Sequence, residues 1–386
     1  MIDYKEIRRT LHEHPQTAGN EQFAHDTIVN HLQGLHPDKV YTHVGGYGVI
    51  AVWGKDPQAP TVAFRADNDA LPIGHRCGHD GHTTILLRLA ELIDEHVSTY
   101  QRVNILLLWQ PAEETGTGSR AVLDTGILQQ YNIQSFYALH NLPGYPLGTV
   151  VLCPRTFAAA STGVVYRLDG RETHASTPEM GINPGMAIAE IIQRFNGGLT
   201  PDPSPSGEGC GMCLHSGVST PLFERRGVGG EAGFRQCTLI CVRVGQPAFG
   251  TSAGHGEVMF TLRAFTNDEM EKMLSEANQV VDEVSARYGL KVSRSLVEPF
   301  RATENHPDSV KAIEKAAKEL PLNIQYQEAP NRWSEDFAEY LLEFKGAMFG
   351  IGIGENHAEL HHPDYDFPDD LIEPAAQLFF RLTTEC

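Results

Sequence analysis

At 386 residues, 41% hydrophobic and 20% charged, the chain has the make-up of a globular protein and is too long for one ordinary core, so two domains are expected. Its net charge of −19, from 49 acidic and 30 basic residues, argues against nucleic acid or anionic membranes as partners. No apolar run approaches the ~20 residues of a membrane helix, the N-terminus "MIDYKEIRRTLHEHPQT" has no apolar h-region, and seven cysteines are an odd number; a soluble, cytoplasmic protein is expected.

In chain order, that N-terminus is polar and helix-like. "TVAFRA" (61–66), "VNILLLWQ" (103–110), "FYALH" (136–140) and "GTVVLC" (148–153) then read as strands, several fully apolar as in a sheet covered on both faces. Between them, "HTTILLRLAELIDEHV" (82–97) sets Ile85, Leu86, Leu89, Leu92 and Ile93 at helical spacing, and "GSRAVLDTGIL" (118–128) reads as a shorter helix. Strand and helix in alternation predict an α/β catalytic domain with a mostly parallel sheet covered by helices. The middle changes character. Strands at 163–170, 238–245 and 257–265, with helices at 183–197 and 267–289, predict a smaller α+β domain inserted into the first. A Gly/Pro/Ser-rich segment (197–217) interrupts it, carrying the pair Cys210 and Cys213; this pair lacks the context of a redox or zinc motif. Helices at 307–320 and 334–344, a strand at 347–354 and a last helix near 369–382 resume the α/β pattern. The expected division is 1–158 with 298–386 for the discontinuous catalytic domain, and 159–297 for the insertion.

The ligand-type side chains fall in a pattern. "GHRCGHDGHTT" (74–84) lies between a strand and a helix start, "PAEE" follows the strand 103–110, His140 ends the strand 136–140, and "ENHAELHHPDYDF" follows the strand 347–354. Each stands just beyond the C-terminal end of a strand, where open α/β sheets bind ligands. A structural zinc knuckle takes its ligands from one or two local hairpins instead. Two divalent ions need mixed His, carboxylate and thiolate ligands, plus a carboxylate left free to accept a proton from water. An adjacent pair such as Glu113 and Glu114 supplies both functions. Asp80 and His82 read equally as helix-capping residues, and Asp67 and Asp69 either orient a ligand histidine or only end their strand.

"RADNDALP", "CGHDGHT", "QPAEETGTGS", "ALHNLPGYPLGTV", "HASTPEMGINP", "SEDFAEYL" and "LHHPDYDFPDD" occur in that order along almost the whole chain. Together they resemble the amidohydrolase branch of the aminoacylase/carboxypeptidase-type metallopeptidases, which includes hippurate hydrolases, N-acyl-amino-acid deacylases and indole-acetyl-amino-acid hydrolases. The resemblance implies Cys77, His79, Glu114, His140 and His361 as metal ligands for two divalent ions (Zn, Mn, Co or Ni), and Glu113 as general base. His361 is preferred to His362 because the family pattern, His-x-Pro, meets Pro363 only in that register. The inserted domain would be a lid and dimerisation domain, making a homodimer, and its His174 the lid histidine that polarises the scissile carbonyl. The implied reaction is amide hydrolysis of a small N-acyl amino acid or related amide. A dipeptidase or carboxypeptidase-type activity is the near alternative, and a catalytically silent metal-binding protein the distant one. Two departures bear on the substrate rather than the reaction. The loop before Cys77 is short, and "SAGHGE" (252–257) replaces the family's Asn-Val-Ile-Pro stretch, so its substrate-contacting Asn is missing or supplied from elsewhere, His255 being one candidate.

Overall fold

The computed structural model describes residues 2–96, 103–196 and 234–384. Cys210, Cys213 and the rest of the Gly/Pro/Ser-rich segment lie outside the described residues. The chain divides into two units, Met1–Ala158 with Phe300–Cys386, and Ala159–Pro299.

The first unit is built on an eight-stranded sheet: β1 (Lys39–Val44), β2 (Gly48–Trp53), β3 (Pro60–Asp67), β4 (Asn104–Gln110), β5 (Asn132–Leu142), β6 (Val150–Leu152), β13 (Ile324–Tyr326) and β14 (Gly346–Gly352), in spatial order β1-β2-β4-β3-β5-β14-β6-β13. The pairs β4–β3, β3–β5, β5–β14 and β6–β13 are parallel. The expected α/β class is therefore present. Every residue of β4 is buried, and the pleat sends them to two cores in turn. Ile105, Leu107 and Trp109 join one core with α3 (His79–Glu95) and α8 (Ile372–Leu382); Leu106 and Leu108 join the other with α4 (Gly118–Leu123). The helices α1 (Tyr4–Glu13), α2 (Gln22–Leu32) and α7 (Pro307–Lys318) complete this unit.

Three elements differ from expectation. α3 begins at His79 rather than near residue 82, because Gly78 at its start takes φ 97° and starts the helix three residues early. The helix expected at 334–344 is a 3-10 helix over Asp336–Leu342; its three residues per turn let Phe337 and Tyr340, three residues apart, eclipse one another and both be buried. The strand expected at 148–153 shortens to β6, the turn through Gly148 (φ 76°) occupying its start.

The second unit holds a four-stranded sheet in the order β12 (Lys291–Phe300, whose last residue belongs to the first unit), β7 (Ala160–Asp169), β11 (His255–Ala264) and β9 (Arg235–Val244). β11 alternates strictly, burying Val258, Phe260 and Leu262 with Ile188, Ile191 and Phe195 of α5 (Gly185–Asn196) and Met273, Ala277 and Val281 of α6 (Asn267–Tyr288). A two-stranded ribbon pairs β8 (Thr173–His174) with β10 (Thr251–Ser252). Among the described residues no helix is long and apolar enough to cross a membrane.

Candidate metal centre and active site

Parallel register sets the site. Asp67 of β3 stands level with Gln110 of β4, and Leu142 of β5 with Gly352 of β14, so the four central strands end on the same edge of the sheet. The loops leaving those ends carry Cys77, then Glu113 and Glu114, then His361; His79 opens α3 and His140 sits on β5 itself. All five expected ligands are brought together. The ligand atoms of Cys77, His79 and His140 lie within 4.8 Å of one another, and so do those of Cys77, Glu114 and His361. Cys77 Sγ stands 3.6 Å from His140 Nε2. Donors bound ~2.0–2.3 Å from one ion stand about 3–4 Å apart, so two such trios sharing one sulfur are the shape of a two-ion site.

The histidine rings are aimed. His79 Nδ1 lies 3.0 Å from the Asp69 carbonyl and His140 Nδ1 2.9 Å from the Asn141 carbonyl. A carbonyl only accepts, so each Nδ1 carries the hydrogen and each Nε2 turns its lone pair to the cavity. His79 Nε2 and Glu114 Oε1 are buried with no hydrogen-bond partner. Buried polar atoms rarely stand alone, and a bound cation is the partner this donor set calls for. Burial raises the Cys77 thiol and the Glu114 carboxyl, and lowers His140 well below its ordinary range. A divalent ion would restore the thiolate and the carboxylates and suits a neutral imidazole, so the residues fit the metals the fold implies.

The turn carrying the glutamates is tied on several sides. Glu114 N–H donates to Asp69 Oδ2 at 3.0 Å, and Glu113 Oε1 accepts the Asp336 N–H at 3.4 Å. Ala112, just before them, takes φ 54° in the left-handed region, which costs a non-glycine residue about 1–2 kcal/mol. Gly118 closes the turn so tightly on Pro111 that a Cβ there would overlap its carbonyl oxygen. Burial pushes the Glu113 carboxyl well up, and Glu335, Asp336 and Glu114 push it further.

Behind Glu113 lies a buried cluster that the sequence reading left unassigned. Arg65 is 2% exposed, and its guanidinium reaches Asp67 at 2.5 Å, Glu335 at 3.3 Å, Asp336 at 3.0 Å and Gln110 Oε1 at 3.0 Å. Burial raises Glu335 to about 8 and Asp336 to about 6, against the pull of Arg65. Glu335 Oε1 stands 3.7 Å from His140 Nε2. The quoted stretch "SEDF" was its signal, but adjacency in sequence says nothing of a partner as distant as Arg65. Of this cluster Glu335 alone, together with Glu113, Glu114, Leu142, Tyr145, Trp333 and Leu360, lines a cavity of about 350 Å³.

The competing residues are engaged elsewhere. His82 lies 2.6 Å from both Asp67 Oδ1 and Asn141 Oδ1. Asp80 accepts from Arg8 and pairs with His12 at 2.8 Å. His357 donates to the Ala358 carbonyl, and His362 accepts the Asp364 N–H at the surface. Asp69 orients His79, whereas Asp67 serves Arg65 and His82. In the second unit, His174 is exposed and its Nδ1 accepts the Ser176 N–H at 3.1 Å, which leaves the hydrogen on Nε2. His255 pairs with Asp169 at 2.6 Å.

Comparison with known proteins agrees with this layout. The description Peptidase family M20/M25/M40 matches residues 61–385. The N-acetyldiaminopimelate deacetylases of Lactobacillus helveticus (strain DPC 4571) and Lacticaseibacillus casei (strain BL23) are each 26% identical, over 95% and 94% of this chain and 92% of each relative. Among solved structures, a putative aminohydrolase from methicillin-resistant Staphylococcus aureus aligns with TM-score 0.85 at 22% identity, covering 99% of this chain and 95% of that one. The Bacillus subtilis YXEP protein, described as a dinuclear metal-binding peptidase, aligns with TM-score 0.78 at 22% identity, covering 98% and 96%.

Proposed function

Since this chain belongs to peptidase family M20/M25/M40 and is a metal-dependent amidohydrolase, we propose that it removes the acyl group from a small N-acyl amino acid, the bond named in its deacetylase relatives, with Glu113 as general base. The Glu113–Glu114 pair carries this reading: Glu114 groups with Cys77 and His361, while Glu113 Oε1 accepts the Asp336 N–H and its Oε2 stands 4.0 Å from His79 Nε2. Cys77, His79 and His140 would hold one divalent ion, and Cys77, Glu114 and His361 a second. Zn, Mn, Co and Ni all suit this mixture of thiolate, imidazole and carboxylate. Such ions, when bound, polarise the amide carbonyl and lower the pKa of water.

The remaining chemistry falls to the protein. Glu113 takes the proton of the attacking water and returns it to the leaving nitrogen. Its Oε1 is fixed by the Asp336 N–H, which leaves Oε2, 4.0 Å from His79 Nε2, to do this. Leu142, Tyr145, Trp333 and Leu360 give the cavity an apolar wall that keeps water from the acyl group. His174, with its hydrogen on Nε2, is the donor we assign to the developing oxyanion. We further propose a homodimer joined through the second unit, supported by the exposed Ile240, Val242 and Val244 on the edge strand β9. A cytoplasmic location is supported by the free thiols of Cys77, Cys153, Cys237 and Cys241, and cell fractionation tests it.

The direct test is amine release from a panel of N-acyl amino acids and dipeptides, using protein stripped and reloaded with Mn or Zn. Glu113→Gln should keep its metals and lose at least about a thousandfold in kcat, and His174→Ala should also fall. Near-normal turnover by Glu113→Gln would sink the base assignment. Cleavage of dipeptides alone would make the enzyme a dipeptidase.

A further inference from the structure

The chemistry above leaves one wholly buried carboxylate without a task. Glu21 is 0% exposed, lies ahead of the residues matched by the family description, and makes no capping bond to α2, the helix it precedes. Its Oε1 accepts the backbone N–H of Ala112 at 2.9 Å. Ala112 is the left-handed residue immediately before Glu113 and Glu114. A residue bearing a Cβ relaxes from that conformation to negative φ unless something holds it. Relaxation would turn the peptide that leads into Glu113 and swing both carboxylates off their present directions. The segment leading to Glu21 is anchored to the one that carries Asp69: Ala70 N–H donates to the Gln16 carbonyl at 2.8 Å, and Thr17 bridges Ala70. Asp69 in turn accepts the Glu114 N–H. The N-terminal segment thus grips the glutamate turn at Ala112 directly and at Glu114 through Asp69.

We infer that Glu21 is a positioning residue for the reaction: its buried carboxylate holds Ala112 in the left-handed conformation from which Glu113 departs toward the metal ligands. This rests on the reading of Glu113 as general base. A misplacement of ~1 Å at a reacting group can cost about a hundredfold in rate, so the effect should appear in kcat.

Glu21→Met keeps the side chain's bulk but removes the acceptor. It should lower kcat by roughly 10- to 100-fold, leave KM within about threefold, leave Mn stoichiometry unchanged, and speed hydrogen exchange at the amides of 112–116 in the metal-free protein. Glu21→Gln, whose amide oxygen still accepts the bond, should lose no more than about threefold. Adding Ala112→Gly to Glu21→Met should recover part of the rate, because glycine holds positive φ without support. Glu21→Asp, which withdraws the oxygen by one methylene, carries the same expectation as Met should Glu21→Met not fold. Unchanged kcat and exchange in Glu21→Met, or an equal loss in Glu21→Gln, would overturn the assignment. Glu113→Gln assayed alongside separates the two ideas. If that variant stays active the base reading fails, while the exchange measurement still reports whether Glu21 holds the turn.

Discussion

Three histidines follow β14 within six residues, and a shared side-chain chemistry gives them three different tasks. His357 donates to the Ala358 carbonyl, His362 accepts the Asp364 N–H in solvent, and only His361 comes within ligand range of Cys77 and Glu114. The backbone makes the selection: His361 takes φ 66° and its N–H is tied to the Arg76 carbonyl at 2.7 Å, which turns it back toward the loop bearing Cys77. His361→Ala should therefore hold one ion per chain where the parent holds two, while His362→Ala keeps both. Metal analysis after exhaustive dialysis reads this directly. A loss in the His362 variant instead would transfer the ligand role to it. The Pro363 register was enough to prefer His361 from sequence, but the reason for the preference is a backbone conformation that residue types do not announce.

At the scale of elements, legibility followed periodicity. β4 and the body of α3 were plain because unbroken apolar runs and 3.6-residue spacing are strong patterns. β1, α2 and β12 were not singled out: β1 and β12 are mostly exposed or half-exposed, and α2 carries polar residues through its middle; β2 was missed although it is apolar and buried throughout. The candidate ligand residues stood out because they follow strand ends. Arg65, Glu335 and Glu21 did not, because their roles depend on partners far away in the chain. α3 also illustrates an acid-sensitive joint. Asp94, near its C-terminal end, accepts from the Trp53 indole at 3.0 Å and from His36 N–H at 2.7 Å. Burial opposes its charge, but the bonds from His36 and Trp53 prevail and hold the carboxyl below its usual range. A carboxyl lowered by folding contributes stability above its unfolded pKa and loses it as pH falls through the folded one. Asp94→Asn should thus be less stable near neutrality and less sensitive to acid, so that the two stabilities converge below about pH 4. Urea unfolding followed by tryptophan fluorescence at several pH values decides it; parallel profiles would refute the role.

At the scale of the whole molecule, the four-stranded sheet of the second unit ends in β9, whose Leu239, Ile240, Val242 and Val244 are 38–58% exposed. An apolar edge strand is a ready template for another chain. Ile240→Lys with Val242→Lys should convert a dimer to a monomer in sedimentation while the metal content stays intact; a parent that sediments as a monomer would end the dimer proposal. The other sheet carries a different consequence. β14 lies between β5 and β6, yet it is encoded after the entire second unit. A ribosome therefore releases Cys77, His79, Glu113, Glu114 and His140 long before Arg65 can meet Glu335 and Asp336, or Cys77 can meet His361. Throughout that interval the nascent protein has an unfilled gap in the middle of its sheet and an incomplete set of ligands. Synthesis itself thus acts as a timer, and the chain cannot bring Cys77 and Glu114 together with His361 until residue 361 has emerged.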